Sequence, residues 1–180
     1  MKRSRVHILG ASGTGTTSLA RALADAWSTP HADADDYFWL PTDPPYTRKR
    51  PEAERIALMR QLFVPREAWV LSGSMLGWGE SIVQECDAVV FLTLDPAERL
   101  RRLEARELRR RADAAYDRNA WETFMEWARG YDDPEFIGRS RAAHEQWLAR
   151  LEQPVLRLDS SDSPAELLDR VLSWDGHGPE

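Results

Sequence analysis

Apolar residues in this chain fall into short uninterrupted runs separated by stretches of helical spacing. Val6-His7-Ile8-Leu9 is one such run, and it ends in a glycine-rich turn. Beyond the turn, Leu19, Leu23, Ala26 and Trp27 recur at helical intervals as far as Ser28-Thr29-Pro30, so the opening reads as strand, loop, helix. A second extended piece lies around His31-Ala32, followed by acidic residues 33–36 and a Pro-rich segment, PTDPPYTRKRP, that excludes regular helix and interior strand. Pro51 suits a first helical position, with Ile56, Met59 and Phe63 as the apolar face. Trp69-Val70-Leu71 predicts a third strand running into Ser72-Gly73-Ser74 and a loop with Gly77 and Gly79. Residues 88–94 are apolar except for Thr93, as expected of a strand covered on both faces.

After that strand, Asp95-Pro96-Ala97-Glu98 announces a helix: a capping Asp, a first-turn Pro and a Glu three residues past the cap. Residues 119–122 open another helix, carrying Trp121, Phe124, Met125 and Trp127 and stopping at Gly130, and a further helix is expected over roughly 136–151. Val155-Leu156-Arg157-Leu158 is the last strand, and Ser163-Pro164-Ala165-Glu166 caps the last helix. Strands alternating with helices predict an α/β sandwich around a mostly parallel sheet of about five strands. Ligands in such folds bind beyond the carboxyl ends of strands, here the loops after Leu9, Ala32, Leu71, Leu94 and Leu158.

The chain has 180 residues, the size of one compact domain, and no repeat or linker divides it. No apolar run approaches the ~20 residues of a membrane span. The basic start, MKRSRVHILGAS, holds an apolar stretch shorter than the roughly 7–15 residues of a signal peptide, and Cys86 is the only cysteine, so a cytoplasmic location is expected. A net charge of −6 argues against nucleic acid as a partner, and no membrane partner is expected. Of the 24 basic residues only Lys2 and Lys49 are lysines.

Gly10-Ala11-Ser12-Gly13-Thr14-Gly15-Thr16-Thr17-Ser18 places two glycines and a hydroxyl on the phosphate-loop template G-x-x-x-x-G-K-S/T. Glycines permit a backbone curl that turns successive N–H groups inward, and the following helix adds its positive end, so main chain cradles a di- or triphosphate. Thr17 is the expected magnesium ligand. Thr16 stands where the template has lysine and carries no charge. Phosphoryl transfer depends on electrostatic stabilisation, so catalysis needs a substitute cation, whereas binding needs only the backbone.

Two candidates for that cation are legible. Lys49 lies in Thr47-Arg48-Lys49-Arg50, in the loop after the acidic stretch. Arg102, Arg106 and Arg110 are spaced to line one face of a helix, and the surrounding Arg99-to-Arg118 segment is locally basic. The corresponding bland readings are a solvated basic loop and an exposed helix whose arginines pair with Glu104 and Glu107. Asp33 and Asp35, in Asp33-Ala34-Asp35-Asp36-Tyr37, are expected on one side of an extended segment, where one carboxylate positions magnesium and one accepts a hydroxyl proton. Trp39, Trp78 and Tyr37 are candidates for stacking on a ring. His7, His31, His144 and His177 form no metal-ligand spacing.

With these residues the chain resembles the small P-loop kinases grouped around nucleoside monophosphate kinases and shikimate kinase. The resemblance runs through GASGTGTTS, the D-A-D-D after the second strand, Arg102-x-x-x-Arg106 at the entry to a lid, and Asp159-Ser160-Ser161 after the last strand. More narrowly, GASGTGTT, DADDYFWLPTDPPYTRKR and FMEWARGYD resemble a bacterial adenylate kinase-like branch whose phosphate loop also lacks lysine. The resemblance implies a five-stranded parallel sheet in the order 2-3-1-4-5, a helical lid over about residues 102–133, and ATP on the first loop with adenine bordered by the turn after Leu158. It also implies that Asp33 and Asp35 serve magnesium and the acceptor hydroxyl. Ser72-Gly73-Ser74 departs from the aspartate-glycine of adenylate kinases, which argues against AMP as acceptor. The expected function is an ATP- and magnesium-dependent phosphotransferase acting on a small acceptor, a nucleoside monophosphate or a hydroxylated metabolite. The alternative is a nucleotide-binding sensor or partner protein with weak or no transfer because of Thr16.

Overall fold

The computed structural model describes residues 1–110 and 117–176, the side chain of Arg110 excepted. Strand β1 (Arg5–Gly10) leads through the glycine loop into helix α1 (Thr16–Trp27), and β2 (His31–Asp33) is followed by the short helix α2 (Ala34–Phe38) and by α3 (Glu52–Leu62). Next come β3 (Trp69–Ser72), the single-turn α4 (Glu80–Val83), β4 (Ala88–Thr93) and α5 (Pro96–Arg110). Helices α6 (Arg118–Gly130) and α7 (Arg141–Leu148), strand β5 (Val155–Asp159) and helix α8 (Pro164–Ser173) complete the described chain.

All five strands are parallel, in the order β2-β3-β1-β4-β5, as the resemblance implies. The central position of β1 explains its sequence: Val6, Ile8 and Leu9 are fully buried because helices cover both faces of the sheet. Leu9, Leu71, Val89 and Phe91 face a core layer shared with Met59, Trp69 and Ile82. Val6, Ile8, Val70 and Val90 face a second layer, packed by Leu19 and Leu23 of α1 and by Leu167 and Val171 of α8. These two layers fix the carboxyl edge of the sheet, where β1, β2 and β3 end side by side.

Local signals in the sequence place several helix starts. Asp95 caps α5 by accepting the Glu98 N–H at 3.0 Å, and Ser163 and Glu166 form a reciprocal capping box on α8. Two departures bear on function. The acidic residues after β2 form no extended segment: Asp33 turns the chain into α2 by accepting the Asp35 N–H at 3.1 Å. The helix expected over roughly 136–151 begins only at Arg141, because Ser140 caps it by accepting the Ala143 N–H at 3.1 Å. Residues 133–139, with Pro134 and Gly138, therefore form a loop that ends on Arg139.

Two buried histidines couple this fold to pH. His7, wholly buried in β1, donates Nε2–H to the Gly73 carbonyl at 2.7 Å, and burial holds its pKa down at about 4. His144 lies between Ser74 Oγ and Tyr131 Oη, both at 2.9 Å, and burial lowers its pKa to about 3. In the unfolded chain both titrate near 6.5, so between that pH and the folded values the unfolded state binds more protons. Stability is therefore expected to fall as pH is lowered from about 6.5, by up to about 1.4 kcal/mol per pH unit for each histidine. Urea unfolding between pH 7.5 and 5 tests this above the range where most carboxylates titrate. Unchanged stability across that interval would contradict it, and His144→Gln should flatten the slope.

Candidate active site

The glycine loop between β1 and α1 is shaped by what surrounds it. A side chain at Gly10 would place its Cβ 2.5 Å from the Leu92 carbonyl and 2.6 Å from Thr14 Oγ1, so only glycine fits where β1 meets β4. Gly13 and Gly15 have φ of 95° and 90°, the left-handed region that turns the chain back over the start of α1. Ala11 and Thr14 point inward, with Thr14 Oγ1 donating to the Ala11 carbonyl at 2.9 Å. Helix α1 starts from Gly15 without a side-chain cap for its first N–H groups, and the space where a Gly15 Cβ would stand is open, with nothing within 4 Å. That arrangement fits a phosphate.

Beside the loop, one carboxylate gathers three elements. Asp33 Oδ2 accepts from Thr17 Oγ1 of α1 at 2.9 Å and from Ser72 Oγ of β3 at 3.0 Å. The single Ser72 proton is thereby committed, so Ser72 Oγ accepts from His31 Nε2–H at 2.9 Å. Because Thr17 directs its proton at Asp33, its lone pairs remain for another ligand. A hydroxyl and a carboxylate joined in this way are oxygen donors of the kind magnesium takes. Among the described residues no group of three or more His, Cys, Asp or Glu is arranged to hold a metal by itself.

Asp35 stands exposed on α2, its N–H bonded to Asp33 Oδ1. Surrounding protein raises its carboxyl above the ordinary range, and Asp33 adds to the shift, while Arg139 and Trp39 oppose it. A carboxylate of raised proton affinity beside a second carboxylate that gathers hydroxyls can offer a proton acceptor and an oxygen donor for a cation at one place.

The expected cations are distributed differently. Lys49 is exposed; its backbone bridges to Trp39 and its Nζ lies 5.7 Å from the centre of the Phe38 ring. Arg102 donates to Glu98 at 3.0 Å and to the Ser160 carbonyl at 3.0 Å, tying α5 to the turn after β5. Arg106 lies one turn farther along α5. The side chain of Arg110 and residues 111–116 of the expected lid lie outside the described residues. Of the proposed ring-stacking residues, Tyr37 packs in the core against Phe63 and Trp78 against Phe38, while Trp39 stays partly exposed beside Tyr46.

Two arginines outside those expectations reach the loop. Arg99, with a side chain only 1% exposed, donates to the Ser12 carbonyl at 3.1 Å, to the Ala128 carbonyl at 2.8 Å and to Asp132 at 2.8 Å. Arg139 donates to Ser12 Oγ at 3.0 Å and stacks on Trp127 with its guanidinium carbon 4.6 Å from the ring centre. Burial pulls the Arg139 guanidinium below its ordinary value, opposed by the charge of Asp35. Sequence offered one usable clue to Arg139: the Asp133-Pro134 break and Ser140, a capping residue, mark a loop end at that position.

No protein-family model matches the chain. It is 39% identical over 178 residues to the uncharacterized protein YqaC of Bacillus subtilis (strain 168), covering 96% of this chain and 97% of YqaC. Among solved structures, a gluconokinase from Sinorhizobium meliloti 1021 superposes with a TM-score of 0.57 at 17% identity, over 95% of this chain and 90% of its own. Shikimate kinase from Bacteroides thetaiotaomicron superposes with a TM-score of 0.53 at 18% identity, over 96% of this chain and all (100%) of its own. The enzyme from Aquifex aeolicus vf5 gives 0.51 at 14% identity, over 93% of each chain. By its identity to YqaC over nearly the whole length the chain belongs to the YqaC family, and its architecture is that of the small P-loop kinases.

Proposed function

We propose that this protein is a magnesium- and ATP-dependent phosphotransferase acting on a small hydroxyl-bearing acceptor. The observation that carries the reading is the convergence of Thr17 and Ser72 on Asp33, with an uncapped glycine loop on one side and Asp35 on the other. The glycine loop holds the phosphates through main-chain N–H groups. Thr17 and Asp33 would hold magnesium, which when bound neutralises and orients phosphate oxygens. Asp35 takes the proton of the acceptor hydroxyl, whose oxygen bonds to the γ-phosphorus. The bond from that phosphorus to the β–γ bridging oxygen breaks, and its electron pair leaves on ADP.

The acceptor class follows from β3. Ser72, at the place where adenylate kinases carry aspartate, is buried and committed to Asp33 and His31. This supports a hydroxylated metabolite over AMP. The test is a phosphorus NMR time course with ATP, magnesium and a pool of nucleoside monophosphates, nucleosides, sugar acids and hydroxylated carboxylic acids. A new phosphoester and matching ADP are expected, and dividing the pool identifies the acceptor. Unchanged ATP with every member of the pool present, together with phosphate resonances that stay sharp, would reject the reading.

A further inference from the structure

We infer that Arg139 supplies the phosphate-loop cation that Thr16 does not, reaching the loop from the far side of the site instead of from within it. The inference rests on the phosphotransferase reading and concerns the same site. Three observations carry it: where the guanidinium sits, what it has left to give, and how the other nearby cations are engaged.

Arg139 is the last residue before the cap of α7, so its position is set by a helix start and not by a mobile side of a helix. Its Nη2 meets Ser12 Oγ at 3.0 Å, in the middle of the loop whose backbone cradles phosphate. The face of Trp127 holds the plane of the guanidinium from behind. Asp35, the proposed proton acceptor, is the carboxylate whose charge most favours the ionised form of Arg139. The side chain is therefore bonded to the glycine loop and close enough to Asp35 to feel its charge.

Its donors are largely unspent. Among the described residues Arg139 makes no ion pair, and its Nε is buried without a hydrogen-bond partner. A buried donor left unmatched in a cationic group is what an anionic ligand would satisfy. Arg99 shares the unmatched Nε, but its other donors go to two carbonyls and Asp132; Arg102 is given to Glu98 and the Ser160 carbonyl, and Lys49 is exposed with its Nζ 5.7 Å from the centre of the Phe38 ring. A planar guanidinium can also engage two phosphate oxygens at once, which an ammonium cannot match in geometry. During transfer, Arg139 offsets the charge that grows on the phosphoryl oxygens and on the departing bridging oxygen.

A charge-transplant cycle tests this with ATP itself and with its non-hydrolysable β,γ-imido analogue. Purified wild type, Arg139→Gln, Arg139→Lys, and Arg139→Gln combined with Thr16→Lys are compared for ADP formation and for affinity toward the analogue and ADP. In the absence of acceptor, water takes its place and the products are ADP and inorganic phosphate. Arg139→Gln is expected to slow ADP formation by about 10²–10³-fold and to weaken the triphosphate analogue more than ADP. Adding Thr16→Lys is expected to recover at least about tenfold, because the lysine restores a cation at the same phosphates. Arg139→Lys should fall between wild type and Arg139→Gln.

Unchanged turnover and affinity in Arg139→Gln overturn the inference. Equal weakening of analogue and ADP with no recovery by Thr16→Lys overturns it as well, since that is the signature of a merely structural arginine. If Arg139→Gln does not fold, Arg139→Lys with and without Thr16→Lys decides by the same recovery criterion. Failure of the wild-type protein to bind either nucleotide rejects the phosphotransferase reading itself, a result distinct from loss of the Arg139 effect alone.

Discussion

Asp33→Asn is expected to lower magnesium-dependent ATP turnover by about 10³-fold while leaving the fold intact. Asparagine keeps the shape of the side chain and one carbonyl oxygen, so the cap on α2, now the Asp35 N–H to Asp33 Oδ1 bond at 3.1 Å, can persist. What it removes is the charge on which Thr17 and Ser72 converge. With that charge goes the preference for a divalent cation, since a neutral amide oxygen is a weaker ligand than a carboxylate. The expected signature is a flattened response of turnover to magnesium, with nucleotide still bound by the backbone loop. Titrating magnesium in wild type and variant, alongside thermal melts of both, separates loss of the metal from loss of structure. Equal magnesium responses in the two proteins would remove Asp33 from the metal site and leave Asp35 as the remaining candidate carboxylate.

Arg99→Met carries the largest expected effect on stability, a loss of about 3–5 kcal/mol. Arg99 is buried and joins three parts of the molecule: the phosphate loop through the Ser12 carbonyl, the end of α6 through the Ala128 carbonyl, and Asp132. Methionine fills comparable volume but leaves Asp132 without its cation and two carbonyls without their donor. The Gly13 turn packs against the Arg99 backbone, where an added Cβ would lie 2.8 Å from the Arg99 carbonyl, so strain at this position is transmitted to the loop. For a chain of this size the loss corresponds to a fall in melting temperature of roughly 10 °C. Denaturant unfolding of wild type, Arg99→Met and Asp132→Asn measures it. A change below about 1 kcal/mol in Arg99→Met would mean that the buried pair contributes little beyond a well-packed apolar side chain.

The two variants separate roles that the loop residue Ser12 brings into contact. Its carbonyl is held by Arg99 and its hydroxyl by Arg139. The first contact belongs to a buried arginine that also holds the Ala128 carbonyl and Asp132. The second belongs to an arginine whose Nε has no partner, so one loop residue ties together α5 and the loop before α7.

Much of the architecture was legible along the chain because its causes are local. The apolar run of β4, the glycine spacing between β1 and α1, and the caps at Asp95 and Ser163 each depend on residues within a few positions of one another. Asp33, Asp35 and Thr17 could be nominated for the same reason, since each sits where a strand or a helix meets its loop at the carboxyl edge of a parallel sheet. The manner in which Asp33 and Asp35 meet was not legible: strand alternation was expected, and a helix cap brings them together, because a side-chain hydrogen bond turned the chain one residue earlier.

Which cations meet the glycine loop was decided by tertiary structure alone. Arg139 and Ser12 are 127 residues apart, and Arg99 and Ser12 are 87 apart, so no window of sequence contains either pair. Spacing on α5 singled out Arg102, Arg106 and Arg110, yet helical periodicity reports only which residues share a face, and packing determines what that face meets. Arg102 meets Glu98 and the turn after β5. Sequence by itself determined a glycine loop between β1 and α1 that follows the phosphate-loop template with Thr16 in the place of lysine. Only the fold, by starting α7 at Arg141 and backing Arg139 with Trp127, brought an arginine to Ser12 of that loop.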